Sequence, residues 1–188
     1  MPLSPTEAAD TLKRWQEEEA AVRARLSREV GSVQLSELAG RSGMQVFEGI
    51  FSGEFPSVPI GQTLGFVAVH IEPGIAIFQG KPSRAHYNPL GSVHGGWFAT
   101  LLDSCVGCAV HSTLPAGKLY TTVELKVNMI KALTDKVPLV RAEGKVINVG
   151  RSVGIAEGRL VGPDGTLYAH ATTTCFIFDA PGAKAATA

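Results

Sequence analysis

From residue 93 to residue 110 the chain is almost unbroken apolar sequence, and on either side of it the hydrophobic residues fall at a period of two. Alternation marks strands, because successive side chains point to opposite faces; a long apolar run with glycines at its start marks a buried helix. The pattern predicts strands over roughly 64–71 and 74–81, turning at Pro73-Gly74. It predicts a helix over roughly 95–113, stopped near Pro115 and Gly117. Four strands follow, at about 119–130, 137–148, 152–162 and 166–178, separated by Thr134-Asp135, Gly150-Arg151 and Pro163-Asp164-Gly165. In the first of the four, Val123, Leu125, Val127 and Met129 alternate with Thr122, Glu124, Lys126 and Asn128. Ahead of these elements Ser4-Pro5-Thr6-Glu7 forms a capping box with proline at the first helical position. Ala8, Leu12, Trp15, Val22 and Leu26 follow at three-and-four spacing. A second short helix is expected after Ser42, with Val46, Phe47, Ile50 and Phe51 on one face and Gly53 ending it. Pro56 and Pro59 then mark an irregular crossing.

A helix that is apolar on every side must be wrapped, and six strands in this order wrap it most economically as one curled antiparallel sheet. The expected fold class is therefore α+β. A helical extension covers 1–62, the sheet-and-helix domain covers 63–179, and a small, polar tail over 180–188 is expected to fray.

Composition narrows the class. The chain has 188 residues, 45% hydrophobic and 18% charged, a globular balance with room for one sizeable core. A formal net charge of +0 without a basic stripe argues against nucleic acid. Three cysteines make no secreted disulfide framework, and the first twenty residues lack a basic start followed by an apolar run. The 93–110 run approaches the length of a membrane span, but His94, Asp103, Ser104 and three glycines argue against lipid. A cytoplasmic protein without membrane contact is expected.

Within that run one residue stands apart. Between His86 and Lys118 the only formally charged side chain is Asp103. A carboxylate in an apolar segment must find partners or shift its pKa, so Asp103 is either a satisfied core group or a working acid/base. The helix that carries it opens with His94-Gly95-Gly96. Unpaired N–H groups and the positive dipole end lie there, and glycine lets a ligand approach the backbone. Gly95 N–H, with Gly96 N–H beside it, can serve an oxyanion; equally, the glycines can serve close packing. Asn88 stands before Pro89 in an extended position and can donate to the same oxygen, hold a water or tie down the 82–93 loop.

The combination Asn88-x5-His94-Gly95-Gly96-x6-Asp103, with the helix it opens and the strands around it, resembles the phenylacetate-pathway (PaaI-type) branch of hotdog acyl-CoA thioesterases over roughly 63–178. The resemblance implies the hotdog fold and hydrolysis of an acyl-CoA to free acid and CoA. It makes Asp103 the base or nucleophile and places a hydroxyl of the next strand nearby to hold water. His94, read as a lone histidine, can hold the loop, contact the acyl group or relay a proton, and is expected to be an orienting or structural group rather than the general base. Thr122 matches that hydroxyl best, although Thr121 is adjacent and a one-residue slip reverses the face. The turn Gly150-Arg151-Ser152 is implied to lie near the pantetheine or phosphates, with Gly96 also on the substrate; Arg84, Lys131 and Arg159 are further cations. No cofactor is implied, since CoA is part of the substrate.

Helix geometry adds a constraint. Eight residues separate Gly95 from Asp103, about 12 Å of helix axis at 1.5 Å per residue. One straight helix cannot bring its own oxyanion donor and its own carboxylate to one carbon, so a homodimer is expected, and a dimer of dimers is compatible with it. In each site Asp103 of one subunit would work with Asn88 and Gly95 of the other. Two other readings remain: a non-catalytic acyl-CoA sensor, and another hotdog enzyme such as an acyl-thioester dehydratase. Cys105-x2-Cys108-x2-His111 has metal-like spacing, but on a helix these residues do not converge, and no metal is expected.

Overall fold

The computed structural model describes residues 3–181; most of the expected fraying tail lies outside them. Helix α1 (Pro5–Arg23) begins at the Ser4 capping box with Glu7 at its third position. The stretch before the first strand also contains two short helices that the hydrophobic pattern does not show, α2 (Leu35–Ala39) and α4 (Pro59–Leu64). Five and six residues are too few to display a 3.6-residue period. Between them α3 (Gly43–Ser52) starts at a second capping box, Ser42 with Gln45, and stops at Gly53 in the left-handed conformation.

Strands β1 (Phe66–Glu72) and β2 (Ile75–Gly80) form a hairpin, and α5 (Gly95–His111) follows. Then come β3 (Lys118–Met129), β4 (Val140–Val149), β5 (Val153–Val161) and β6 (Leu167–Asp179). All six strands join one antiparallel sheet in the order β1-β2-β4-β5-β6-β3, leaving β1 and β3 at the edges. The sheet curls around α5, whose Leu101, Leu102, Cys105, Val106, Ala109 and Val110 are fully buried. This is a hotdog fold.

Small residues on the inner face let the sheet close on the helix. Ala142, Ala156, Ala169 and Ala171 are fully buried there. A Cβ on Gly144 would stand 2.4 Å from the Cys105 carbonyl oxygen, so helix and sheet touch backbone to backbone at this point.

Helix α1 packs on the sheet's outer surface. Gln79 and Arg141 face each other on β2 and β4. Gln79 donates to the Trp15 carbonyl at 2.9 Å and to Glu19 at 3.1 Å, and its own oxygen accepts from Arg141 Nε at 3.1 Å. The Arg141 guanidinium lies 4.4 Å from the centre of the Trp15 ring and pairs with Glu18. Two buried polar side chains thereby find partners under the helix.

The strict alternation expected in β3 is broken. Thr122 pairs with Cys175 and Glu124 with Thr174, so Val123 is an extra residue and is 61% exposed. A bulge adds one residue to one strand and reverses the phase beyond it. Tyr120 and Thr122 turn inward before it, Leu125 and Val127 after it.

Candidate active site

The start of α5 carries the first group of residues. His94 is the N-cap, and its Nδ1 accepts from Gly96 N–H at 2.8 Å. That contact commits the Gly96 N–H, which the sequence offers beside Gly95 as a second donor. Gly95 N–H is left without a hydrogen-bond partner among the described residues. Asn88 Oδ1 accepts from Leu90 N–H at 2.9 Å and Ser92 N–H at 3.3 Å, and its amide donates to Ser92 Oγ at 3.2 Å. These bonds tie down the loop, and one amide proton stays free. Asn88, Ser92, Gly95, Met129 and Lys131 line one open groove of about 230 Å³. Met129 lies over the helix start: a Cβ on Gly95 would come within 2.6 Å of its terminal methyl.

Asp103 sits two turns further along α5 in different surroundings. Thr122 Oγ1 donates to its Oδ1 at 3.0 Å. Thr121 is exposed on the opposite face, and the bulge after Thr122 is what lets this hydroxyl and the apolar Leu125 share the inner face. Asp103 is half-buried in the wall of an apolar cavity of about 450 Å³, with Ser104, Cys108, His111 and Tyr120 beside it. The carboxylate's second oxygen has no hydrogen-bond partner among the described residues.

The thiols near Asp103 and the histidine of the cavity wall are shifted by burial. Burial, reinforced by the Asp103 charge, pushes the Cys108 thiol up to about 12 and those of Cys105 and Cys175 above their ordinary value. Burial holds His111 down at about 4, so its ring is neutral at about pH 7. Asp103 is the one carboxyl side chain among the described residues that line this cavity.

The turn Gly150-Arg151-Ser152 lies near the other end of α5. Gly154, just past it, would place a Cβ 2.5 Å from Val110. Arg151 is exposed and makes no ion pair among the described residues. Arg84 and Arg159 are instead paired, with Asp135 at 3.0 Å and Glu143 at 2.7 Å. Within one chain the expected site residues therefore form three groups along one axis. Asn88, His94 and Gly95 stand at the start, Asp103 and Thr122 about 12 Å on, and the turn of Arg151 toward the end that carries Val110, itself about 22 Å along the axis from Gly95.

Several residues of these sites carry no signal of their own in the sequence. Ser104, His111 and Tyr120 reach the Asp103 cavity through tertiary packing. So do Val46, Phe47, Ile50 and Phe51 of α3, which the sequence places only on a helix face. Ser92 and Met129 belong to the Gly95 groove through a turn and the β3 register.

The family model of the thioesterase superfamily matches residues 90–169, a span that includes Gly95, Asp103, Thr122 and Arg151. A protein of Halobacterium salinarum, named as a candidate esterase, is 39% identical over 85 residues. The match covers 44% of this chain and 54% of that protein, so the chain spans about half the length of this curated relative. A phenylacetic acid degradation-related protein of Ralstonia eutropha JMP134 is 30% identical, with a TM-score of 0.64, covering 69% of this chain and 98% of its own. A mutant of the phenylacetic acid degradation protein PaaI from Thermus thermophilus is 25% identical with a TM-score of 0.56, covering 63% and 97% respectively.

Proposed function

The chain belongs to the thioesterase superfamily, as a hotdog protein of the PaaI type, and from that footing we propose that it hydrolyses an acyl-CoA thioester to the free acid and CoA. The observation that carries the reading is Asp103: a carboxylate held on one oxygen by Thr122, open on the other, at the wall of an apolar cavity. Asp103 acts as base or nucleophile. As base it takes a proton from water while the water oxygen bonds to the thioester carbon. When the C–S bond breaks, the proton passes to the CoA sulfur. Thr122 fixes the carboxylate, and its oxygen can accept from the incoming water.

The carbonyl oxygen gains negative charge in this step. Gly95 N–H, free and at the positive end of a 17-residue helix, suits it, and one such donor in a dry site is worth on the order of 3 kcal/mol. Asn88, with its remaining amide proton, lines the same groove. Because the two groups stand about 12 Å apart in one chain, the reacting carbon is taken to sit between two subunits. Asp103 and Thr122 come from one, Gly95 and Asn88 from its partner. Edge strand β3 supports such pairing: it is 12 residues long and, with the residue after it, exposes Val123, Met129 and Ile130 by 54–61%. As an edge strand it presents unpaired N–H and C=O groups on one side, to which a second strand can pair. Arg151, unpaired on its turn among the described residues, is suited to bidentate donation to a CoA phosphate.

The test is free-thiol release from a panel of acyl-CoAs by the wild type and Asp103→Asn. The expected fall in kcat is at least about a hundredfold, the scale for a lost acid/base group. Unchanged turnover in the variant would remove Asp103 from the chemistry. Binding without thiol release by the wild type would make the protein an acyl-CoA sensor.

A further inference from the structure

The cavity beside Asp103 has two walls of different origin. One is the hotdog core: Asp103 and Cys108 of α5, with Tyr120 of β3. The other is the N-terminal extension: Phe47, Ile50 and Phe51 of α3, with residues 59–62 of α4 and the segment leading to it. The extension lies wholly outside the residues 90–169 that match the family model.

We propose that α3 and α4 close the far end of the acyl compartment, so that the extension sets the length of acyl group this protein accepts. The inference rests on the acyl-CoA reading above.

The wall is built in rather than loosely laid on. Gly43 N–H, at the start of α3, donates to the Leu114 carbonyl at 2.9 Å. A Cβ at Gly43 would stand 1.7 Å from the His111 carbonyl oxygen, so only glycine permits this seat on the end of α5. The Phe47 ring meets His111 edge-on at 5.3 Å. At the other end the Trp97 indole donates to the Leu64 carbonyl at 2.9 Å, fixing the end of α4 to α5. Gly61 sits tight on the Phe66 carbonyl, where a Cβ would approach to 2.8 Å. Both ends of the wall are thus pinned to the helix that carries Asp103.

The volume, about 450 Å³, falls in the range of roughly 300–1,000 Å³ usual for small-molecule sites, far more than an acetyl group fills. Its lining is largely apolar, and the one anion, Asp103, stands at the wall where the thioester would sit. A flexible acyl chain extending from the carbonyl along α3 satisfies both features.

Non-hydrolysable S-alkyl-CoA thioethers of about two to twelve carbons, titrated calorimetrically, test the wall without requiring turnover. In the wild type, affinity is expected to rise about fourfold per methylene, from the ~0.8 kcal/mol of a buried CH2, and then to level off when the compartment is full. Ile50→Trp fills the compartment and should bring the plateau at least about two methylenes earlier; Phe51→Ala should move it later. Thiol-release profiles over the matching acyl-CoAs should shift the same way. Two results would overturn the inference: a plateau unmoved in both variants, or affinity independent of chain length in the wild type. Chain-length-dependent binding that shifts as expected, with no thiol release from any acyl-CoA, would sink the hydrolase reading and leave the wall standing. Thiol release with one profile in all three proteins would do the reverse.

Discussion

Gly95 shows how one residue can be tested for two roles at once. If it serves only packing, a methyl should damage the fold; if it serves the substrate, the fold should survive and activity should fall. The atom a Cβ would meet is the end of the flexible Met129 side chain, 2.6 Å away, which can swing aside. Alanine also leaves the unfolded chain less conformational freedom than glycine, a gain of about 0.4–1 kcal/mol where the backbone admits it. Gly95→Ala is therefore expected to melt no lower than wild type yet to lose at least about tenfold in kcat, because the methyl crowds the free N–H at the helix start. Melting temperature and kcat measured on one preparation decide between the roles. His111 gives a second residue-scale expectation. Its folded pKa of about 4 lies below the ordinary 6.5, so the unfolded chain binds the proton more readily. The sign follows: stability is intact above about pH 6.5 and is lost as pH falls toward about 4, by ~3 kcal/mol for this group. Denaturant titrations across that window should show a smaller loss in His111→Phe; parallel curves would show that His111 does not couple folding to pH.

At the scale of elements, the contact between helix and sheet decides what the fold tolerates. Gly144 on β4 faces the backbone of α5, and a Cβ there would stand 2.4 Å from the Cys105 oxygen. Backbone cannot swing aside, so Gly144→Ala should cost about 1–3 kcal/mol, the usual range for overpacking a core. Gly150, in the turn that carries Arg151, would place its Cβ no closer than 3.5 Å to any neighbour, the nearest being the Val153 carbonyl oxygen, so Gly150→Ala is the matched control expected to be nearly neutral. Urea midpoints of the pair measure the difference. Element identity was legible because α5 is long and apolar and the strands alternate. The capping boxes at Ser4 and Ser42 were legible too, since each is a local pattern of four residues that satisfies its own donors. The bulge at Val123 was not legible. Its cause is the match of β3 to β6 across the sheet, and nothing within β3 itself announces an extra residue.

At the scale of the whole molecule, the separation of Asp103 from Gly95 along one helix becomes a statement about assembly. Two inactive variants distinguish a shared site from a site within one chain. Asp103→Asn removes the carboxylate. Asn88→Asp keeps the acceptor that holds Leu90 and Ser92 but removes the donated amide proton. In a heterodimer with shared sites, one site carries both changes and the other carries neither. Mixing and re-annealing equal amounts should therefore restore about a quarter of wild-type activity, since about half the dimers are mixed and one of their two sites is intact. No recovery, with exchange of subunits verified by mass, would place each site within one chain. The exposed apolar edge of β3 is where the subunits are expected to meet.

The sequence by itself determined the main elements and their order, because periodicity, capping and turn chemistry are local properties of a chain. It also determined that Asp103 and Gly95 cannot meet within one helix, because the rise per residue is fixed. Tertiary structure decided which hydroxyl reaches Asp103, since the bulge after Thr122, set by strand pairing, lets Thr122 and the apolar Leu125 both face inward. It decided that Gly96 N–H is committed to His94 while Gly95 N–H has no partner among the described residues. It decided as well that a helix some fifty residues earlier in the chain walls the cavity beside Asp103. Each of these depends on distances between segments remote in sequence, or on the exact path of a turn, which no hydrophobic pattern encodes.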